Sequence, residues 1–409
     1  FDFSVRAASA VNVAVFILSF ILIADAVRRE FGTVVALFLV AVCAVSYPLI
    51  LHSAYATAIT FGFLPLGGML AVLARPAGLM SGVLLSMALA LSLFLYPGGT
   101  LVGLCLIAAH AALMHRWWNM RAWIGLGIGG ALGGVVVYLV RYCLSSSDRM
   151  TQWGGGFLQF NKIGLATWVV LKDTFWKSNS WNTYNGNAPY FEPMWFGLLL
   201  CGLLFLAVAL ARRRMGKEER WIAIALLVFF GSAVLSATAG VYPGVRRIVS
   251  AIPFLYLACA IVFARLWALC PRPWPILALI LVNWALMFAR SGAFAASHWP
   301  LSKDYSFMAE SRNMLLNSPT QTRKVVILSY PNDQFEGLDY RCSLGLTKEY
   351  IRKFDPPVVM SRGAINTGMA SGNMSNPFIL LSFDNLARDQ LTTSFGRAPI
   401  ATCLLTQNS

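Results

Sequence analysis

The chain reads as an all-α polytopic membrane domain of about ten transmembrane helices, followed by a small α/β extramembrane domain at the C-terminus. Three observations predict this. Only 12% of the 409 residues are charged and 58% are hydrophobic, whereas a soluble domain carries about 25% charged residues, so lipid must cover much of the surface. The charge is segregated: residues 1–292 form apolar blocks with short polar breaks, and residues 293–409 have the composition of an ordinary soluble domain. Most blocks approach the roughly 20 apolar residues that a hydrocarbon core demands.

In chain order the predicted spans are 7–27, 32–51, 57–74, 79–96, 100–114, 122–142, 194–211, 221–240, 248–266 and 275–289. Pro65 and Gly67-Gly68 interrupt the third. Basic residues in short loops set orientation. Arg28-Arg29, Arg75, Arg116 with Arg121, Arg212-Arg213-Arg214 with Lys217 and Arg220, and Arg265 with Arg272 fall on one side, expected to be cytoplasmic. The turns 47–55 and 96–100 on the other side hold no Lys or Arg. Phe1, the loop 143–193 and the tail from Ser291 are then external. Arg246-Arg247 is also external, against the positive-inside trend, which points to a specific task.

The loop 143–193 contains Trp153, Trp168, Trp176, Trp181, Tyr184 and Tyr190. Residues 162–177 read as an amphipathic helix lying in the interface, and the Asn-rich stretch 179–187 as a turn-rich loop. In the tail, 324–329, 378–383 and 400–405 read as strands, 306–316 and 347–354 as helices, and 367–377 as a loop.

The net charge of +15 does not imply nucleic acid. The basic residues are scattered or sit between apolar blocks, as anchoring against anionic head groups requires. Cys43, Cys105, Cys201 and Cys259 lie in apolar blocks and read as small hydrophobes. No CxxC pair suggests structural zinc. Cys342 and Cys403 are a candidate disulfide in an oxidising compartment. Nucleotide-binding and H-E-x-x-H motifs are absent from the sequence.

Several segments in order resemble the membrane glycosyltransferases of the GT-C superfamily, which include protein O-mannosyltransferases and the aminoarabinose transferase of lipid A. Phe3-Ser4-Val5-Arg6-Ala7-Ala8-Ser9-Ala10 is similar to the segment opening that family's second core helix. Tyr47-Pro48-Leu49-Ile50-Leu51-His52-Ser53 resembles its outer Pro/His turn, and residues 82–96 a following Gly-rich helix. The stretch from Tyr242-Pro243-Gly244-Val245-Arg246-Arg247 to Pro253 resembles the basic turn before a late helix. The resemblance spans about residues 3–290.

It implies sugar transfer from a polyprenyl-phosphate-type donor to an acceptor on the external face, in a membrane expected to be the bacterial inner membrane with a periplasmic tail. It also implies that the general base is a carboxylate in a first external loop, which would precede Phe1. A divalent metal, if used, would be bound in that same loop. Asp2 is the one acid near that position; a terminal Asp is otherwise simply solvated.

The candidate donor-phosphate residues are Arg246, Arg247, Arg6 and His52. A guanidinium fork matches a phosphate, though such arginines also anchor by snorkelling. Trp181, Asn182 and Tyr184 are candidates for stacking on a sugar or acceptor, against the ordinary role of an aromatic belt. Asp148 and Asp173 lack ligand spacing. Asp25 lies one turn from Arg28 and Arg29 and is expected to pair with them.

Two alternatives remain. One is a non-catalytic accessory subunit of a membrane protein complex on the same scaffold. The other is a transporter of lipid-linked sugar, which would demand ionisable residues deep in several spans; few are present.

Overall fold

A computed structural model of the protein describes residues 5–54, 58–143, 163–176, 189–238, 245–298, 315–317, 323–329, 352–355, 358–361 and 379–382. The chain divides into two compact units, one of residues 9–299 and one of residues 300–409 with the first eight.

The larger unit is helical. Its elements are α1 (Val5–Phe31), α2 (Thr33–Val45), α3 (Tyr47–Ala54), α4 (Phe63–Leu73), α5 (Leu79–Leu95), α6 (Pro97–Leu113), α7 (Met120–Cys143), α8 (Ile163–Phe175), α9 (Phe196–Ala211), α10 (Lys217–Thr238), α11 (Ile252–Leu269) and α12 (Trp274–His298). Tight 3-10 turns at Ala58–Gly62, Pro193–Trp195 and Val245–Ala251 lead into α4, α9 and α11.

Among the described residues six helices are long and apolar enough to cross a membrane: Ala10–Phe31, Met120–Leu139, Pro193–Ala211, Lys217–Ser236, Ile248–Leu269 and Trp274–Ala293. Thr33–Val45, Thr60–Leu73, Leu79–Leu95 and Gly98–Leu113 are apolar but shorter. The chain is therefore a mostly helical integral membrane protein.

The apolar block 32–51 is two helices, because the backbone turns extended at Ser46 (φ −70°, ψ 110°). Pro48 then occupies the first turn of α3, where a missing N–H costs nothing. The 13 residues of α2 reach only about 20 Å, less than a hydrocarbon core. By contrast, α4 survives Pro65 and its glycine pair. Pro65 again falls in a first turn. A Cβ at Gly67 would come within 2.9 Å of the Ser19 carbonyl of α1, so glycine there allows two backbones to touch.

The tightest pairing is α5 with α7. Cβ atoms at Gly82, Gly125, Gly129 and Gly133 would each fall 2.0–2.9 Å from atoms of the opposite helix, and Ser86 Oγ donates to the Leu126 carbonyl at 2.6 Å. Small residues replace the hydrophobic drive that lipid removes. At the centre lies α11, whose span is 89% buried inside the bundle, whereas that of α12 is only 17% buried.

Directional contacts sort the bundle into two ends. At one, Asp25 binds Arg28 (2.9 Å) and Arg29 (2.7 Å), as the sequence spacing suggests. Lys217 binds Glu30 (3.1 Å), Arg265 pairs with Glu219, and Trp117 Nε1 donates to the Arg75 carbonyl (2.8 Å). His110 accepts from Trp118 Nε1 (3.0 Å). This is the basic end. The other, called here the far end, gathers the α2–α3 break, the start of α9, the turn before α11 and the last turns of α12.

In the smaller unit, β1 (Val325–Ser329), β2 (Val358–Ser361) and β3 (Ile379–Ser382) form a parallel sheet in the order β2-β1-β3. Val326 pairs with Val358 and Leu380, and Val325 and Val326 are buried. The predicted strands 324–329 and 378–383 match β1 and β3. No strand was expected at β2. Residues 400–405, Cys342 and Cys403 lie outside the described residues, as does most of the predicted helices 306–316 and 347–354.

Candidate functional site at the far end of the bundle

The far end concentrates buried polar groups. The segment leading into α9 is held in place from both sides. Phe191 N–H donates to the Thr174 carbonyl at 2.9 Å and Tyr190 N–H to the Asp173 carbonyl at 3.3 Å, both at the end of α8. This fixes Tyr190 and Glu192 in the interior rather than in a loop.

Tyr190 is buried and its hydroxyl lies 3.2 Å from His52 Nε2. The two rings stack. His52 in turn is fixed by α3, whose carbonyl at His52 accepts from Thr60 Oγ1 at 2.6 Å. A hydrogen bond of this kind contributes about 1 kcal/mol net. Tyr190→Phe is expected to cost about that much in thermal unfolding, while Tyr138→Phe, at an exposed position, should change nothing. Equal effects would remove the bond from the account.

Glu192 is 0% exposed. Its Oε2 accepts from Arg290 Nη1 at 2.8 Å. Its Oε1 has no hydrogen-bond partner among the described residues, and the same holds for Ser46 Oγ. The Glu192 N–H donates to the Tyr256 hydroxyl at 3.3 Å, and Ser46 neighbours the same phenol. Burial pushes the Glu192 carboxyl up to about 6, with Arg290 opposing. Ionising it in place costs about 2 kcal/mol relative to an exposed glutamate. The folded-state value lies above the ordinary 4.5, so this stability is fully present below that value and is lost as pH rises through about 6.

Of the residues singled out from sequence, His52 is buried within this cluster. Arg246 and Arg247 open the 3-10 turn Val245–Ala251. That turn packs against α6, α8, α10, α11 and the turn Ala58–Gly62, which fixes the backbone of the basic pair at the far end. Their side chains are outside the described residues. Arg6 lies in the first turn of α1, its side chain likewise outside them. Asp2, Asp148, Trp181, Asn182 and Tyr184 all lie outside the described residues.

The aromatic belt expected across 143–193 divides. Trp168 and Trp176, on and just after α8, are exposed, as an interfacial helix requires. Tyr190 is interior instead. Asp173 is also buried.

Sequence reading missed Glu192, Arg290 and Tyr256. A lone acid at the mouth of one span and a lone arginine at the end of another were the available signals; the boundary drawn at 289 left Arg290 just outside. Among the described residues no cluster of three or more His, Cys, Asp or Glu could hold a metal ion.

Comparison of this chain with family models, curated proteins and solved structures finds no match.

Proposed function

We propose that the protein is a GT-C-type membrane glycosyltransferase. In this reading it moves a sugar from a polyprenyl-phosphate donor to an acceptor at the far end of the bundle. The observation that carries it is the turn Val245–Ala251. It presents Arg246-Arg247 at the end of the bundle where buried polar side chains gather, opposite the arginine-rich loops that anchor the basic end. Two guanidinium groups at a fixed turn can neutralise a leaving phosphate as its charge develops. The sequence resemblance supplies the reaction class. The far end is then periplasmic in a bacterial inner membrane, and the sheet-containing tail forms an α/β domain that binds acceptor or partner.

The test is binding of undecaprenyl phosphate and of undecaprenol to the full chain in nanodiscs. The phosphate should bind more tightly, and Arg246→Gln and Arg247→Gln should each weaken it about tenfold, as loss of a charged hydrogen bond does, without weakening undecaprenol. Equal affinity for the two lipids would sink the proposal. Transfer is read with a panel of radiolabelled polyprenyl-phosphate sugars.

The accessory-subunit reading has one observation in its favour. Both described acids at the far end, Asp173 and Glu192, are buried, and neither presents a carboxylate to solvent. Tight phosphate-dependent binding with no transfer would favour it.

A further inference from the structure

We propose that Glu192 is a protonation-controlled latch that holds the far end of α12 to the bundle. This is independent of the transferase reading. Among the described residues, little of α12 is buried against the bundle. Its span is the least buried of the six, and it leads directly into residue 300, where the second unit begins.

Its described ties are few and directional. Trp284 Nε1 donates to the Ala41 carbonyl (2.9 Å), Asn283 Nδ2 to the Met194 carbonyl (3.4 Å), and Ser291 Oγ to the Val45 carbonyl (2.5 Å). Trp195 Nε1 points at Met287 Sδ (3.2 Å). The single described ion pair on this helix is Arg290–Glu192. Lipid supplies no hydrophobic drive to hold a peripheral helix, so a charge pair at its end carries more of the docking than it would in water.

The pair is asymmetric. Arg290 is 31% exposed while Glu192 is 0% exposed. If the glutamate becomes neutral, the arginine can turn toward solvent or a lipid phosphate, whereas the glutamate stays. Neutralisation also relieves the glutamate, because one of its oxygens is buried without a partner among the described residues. Acidification therefore weakens the tie while stabilising the buried side of it.

Other titratable groups near Glu192 are Tyr256 of α11, Cys43 of α2, and, one step further, Tyr190, His52 of α3 and Asp173 of α8. His52 also carries an imidazole and needs its own control.

The experiment is amide hydrogen exchange on the full chain in nanodiscs. It is read as protection factors for α12 peptides, with α11 as internal reference. Wild type should lose about tenfold protection in the last turns of α12 between pH 8 and pH 5. Glu192→Gln should show the low protection at both pH values, Arg290→Lys should keep the pH step, and His52→Gln should leave it in place. The proposal is overturned if wild-type protection does not change with pH. It is equally overturned if the step persists in Glu192→Gln or vanishes in His52→Gln. Should Glu192→Gln fail to fold, Arg290→Gln removes the same pair from the other end: it should show the low protection at both pH values, and a persisting step there overturns the proposal equally.

Discussion

Alanine at Gly125 is expected to force α5 and α7 apart and to cost more than about 3 kcal/mol, beyond the usual range for overpacking. The added Cβ would lie 2.0 Å from the Leu79 carbonyl oxygen and 3.1 Å from the Val83 nitrogen. Both are backbone atoms, so no rotamer change relieves the clash. Gly82→Ala should behave alike, its Cβ meeting the Ala122 carbonyl at 2.1 Å and the Leu126 nitrogen at 2.5 Å. Separation would also break the Ser86–Leu126 bond.

The other face of the same helix is the control. Gly127, Gly130 and Gly134 have nothing within 4 Å of an added Cβ. Alanine there should be neutral or stabilise by up to about 1 kcal/mol through helix propensity. Thermal unfolding in detergent reads both series. If both were tolerated equally, the close α5–α7 approach would be wrong.

Arg290→Met is the second large effect. It keeps most of the apolar stem but leaves Glu192 buried and ionised without a counter-charge. Breaking a buried pair from one side costs on the order of 3–5 kcal/mol, and the partial exposure of Arg290 puts the expected loss near the lower end. The loss should be largest at pH 8 and should shrink by pH 5, where the carboxyl, already held at about 6, takes up a proton. Unfolding midpoints at the two pH values check this. A loss equal at both would trace to packing of the stem rather than to charge.

The helices were legible because one physical length governs them. A hydrocarbon core fixes how many apolar residues cross it, so the block at 79–96 became Leu79–Leu95 and that at 122–142 became Met120–Cys143. What hydropathy does not show is where a helix breaks while remaining apolar. The break at Ser46 lies inside a continuous apolar block, and Tyr47-Pro48 was read as a turn at a helix end rather than the start of another helix. The α5–α7 contact was written in Gly125, Gly129 and Gly133 at four-residue spacing, yet the same helix also carries Gly127, Gly130 and Gly134. Sequence alone does not say which ridge is used.

The far-end cluster was half legible. His52 stood out as a rare polar residue beside a proline, but its partner Tyr190 looked like one more interfacial aromatic. Glu192 and Arg290 are separated by 98 positions, and no local pattern links them. β2 was missed because its apolar run, Val358-Val359-Met360, is too short to stand out. It becomes a strand only through pairing with β1.

The proposed transfer at the far end requires the ionisable far-end cluster and the arginine-rich basic end to face opposite sides of the membrane. Single reporter cysteines at Arg214→Cys and Gly292→Cys, in a background cleared of the reactive native thiols, can be labelled with an impermeant maleimide in intact cells. The account predicts labelling of the residue 292 reporter from outside, and of the residue 214 reporter only after the membrane is opened. Labelling of both from the same side would contradict it.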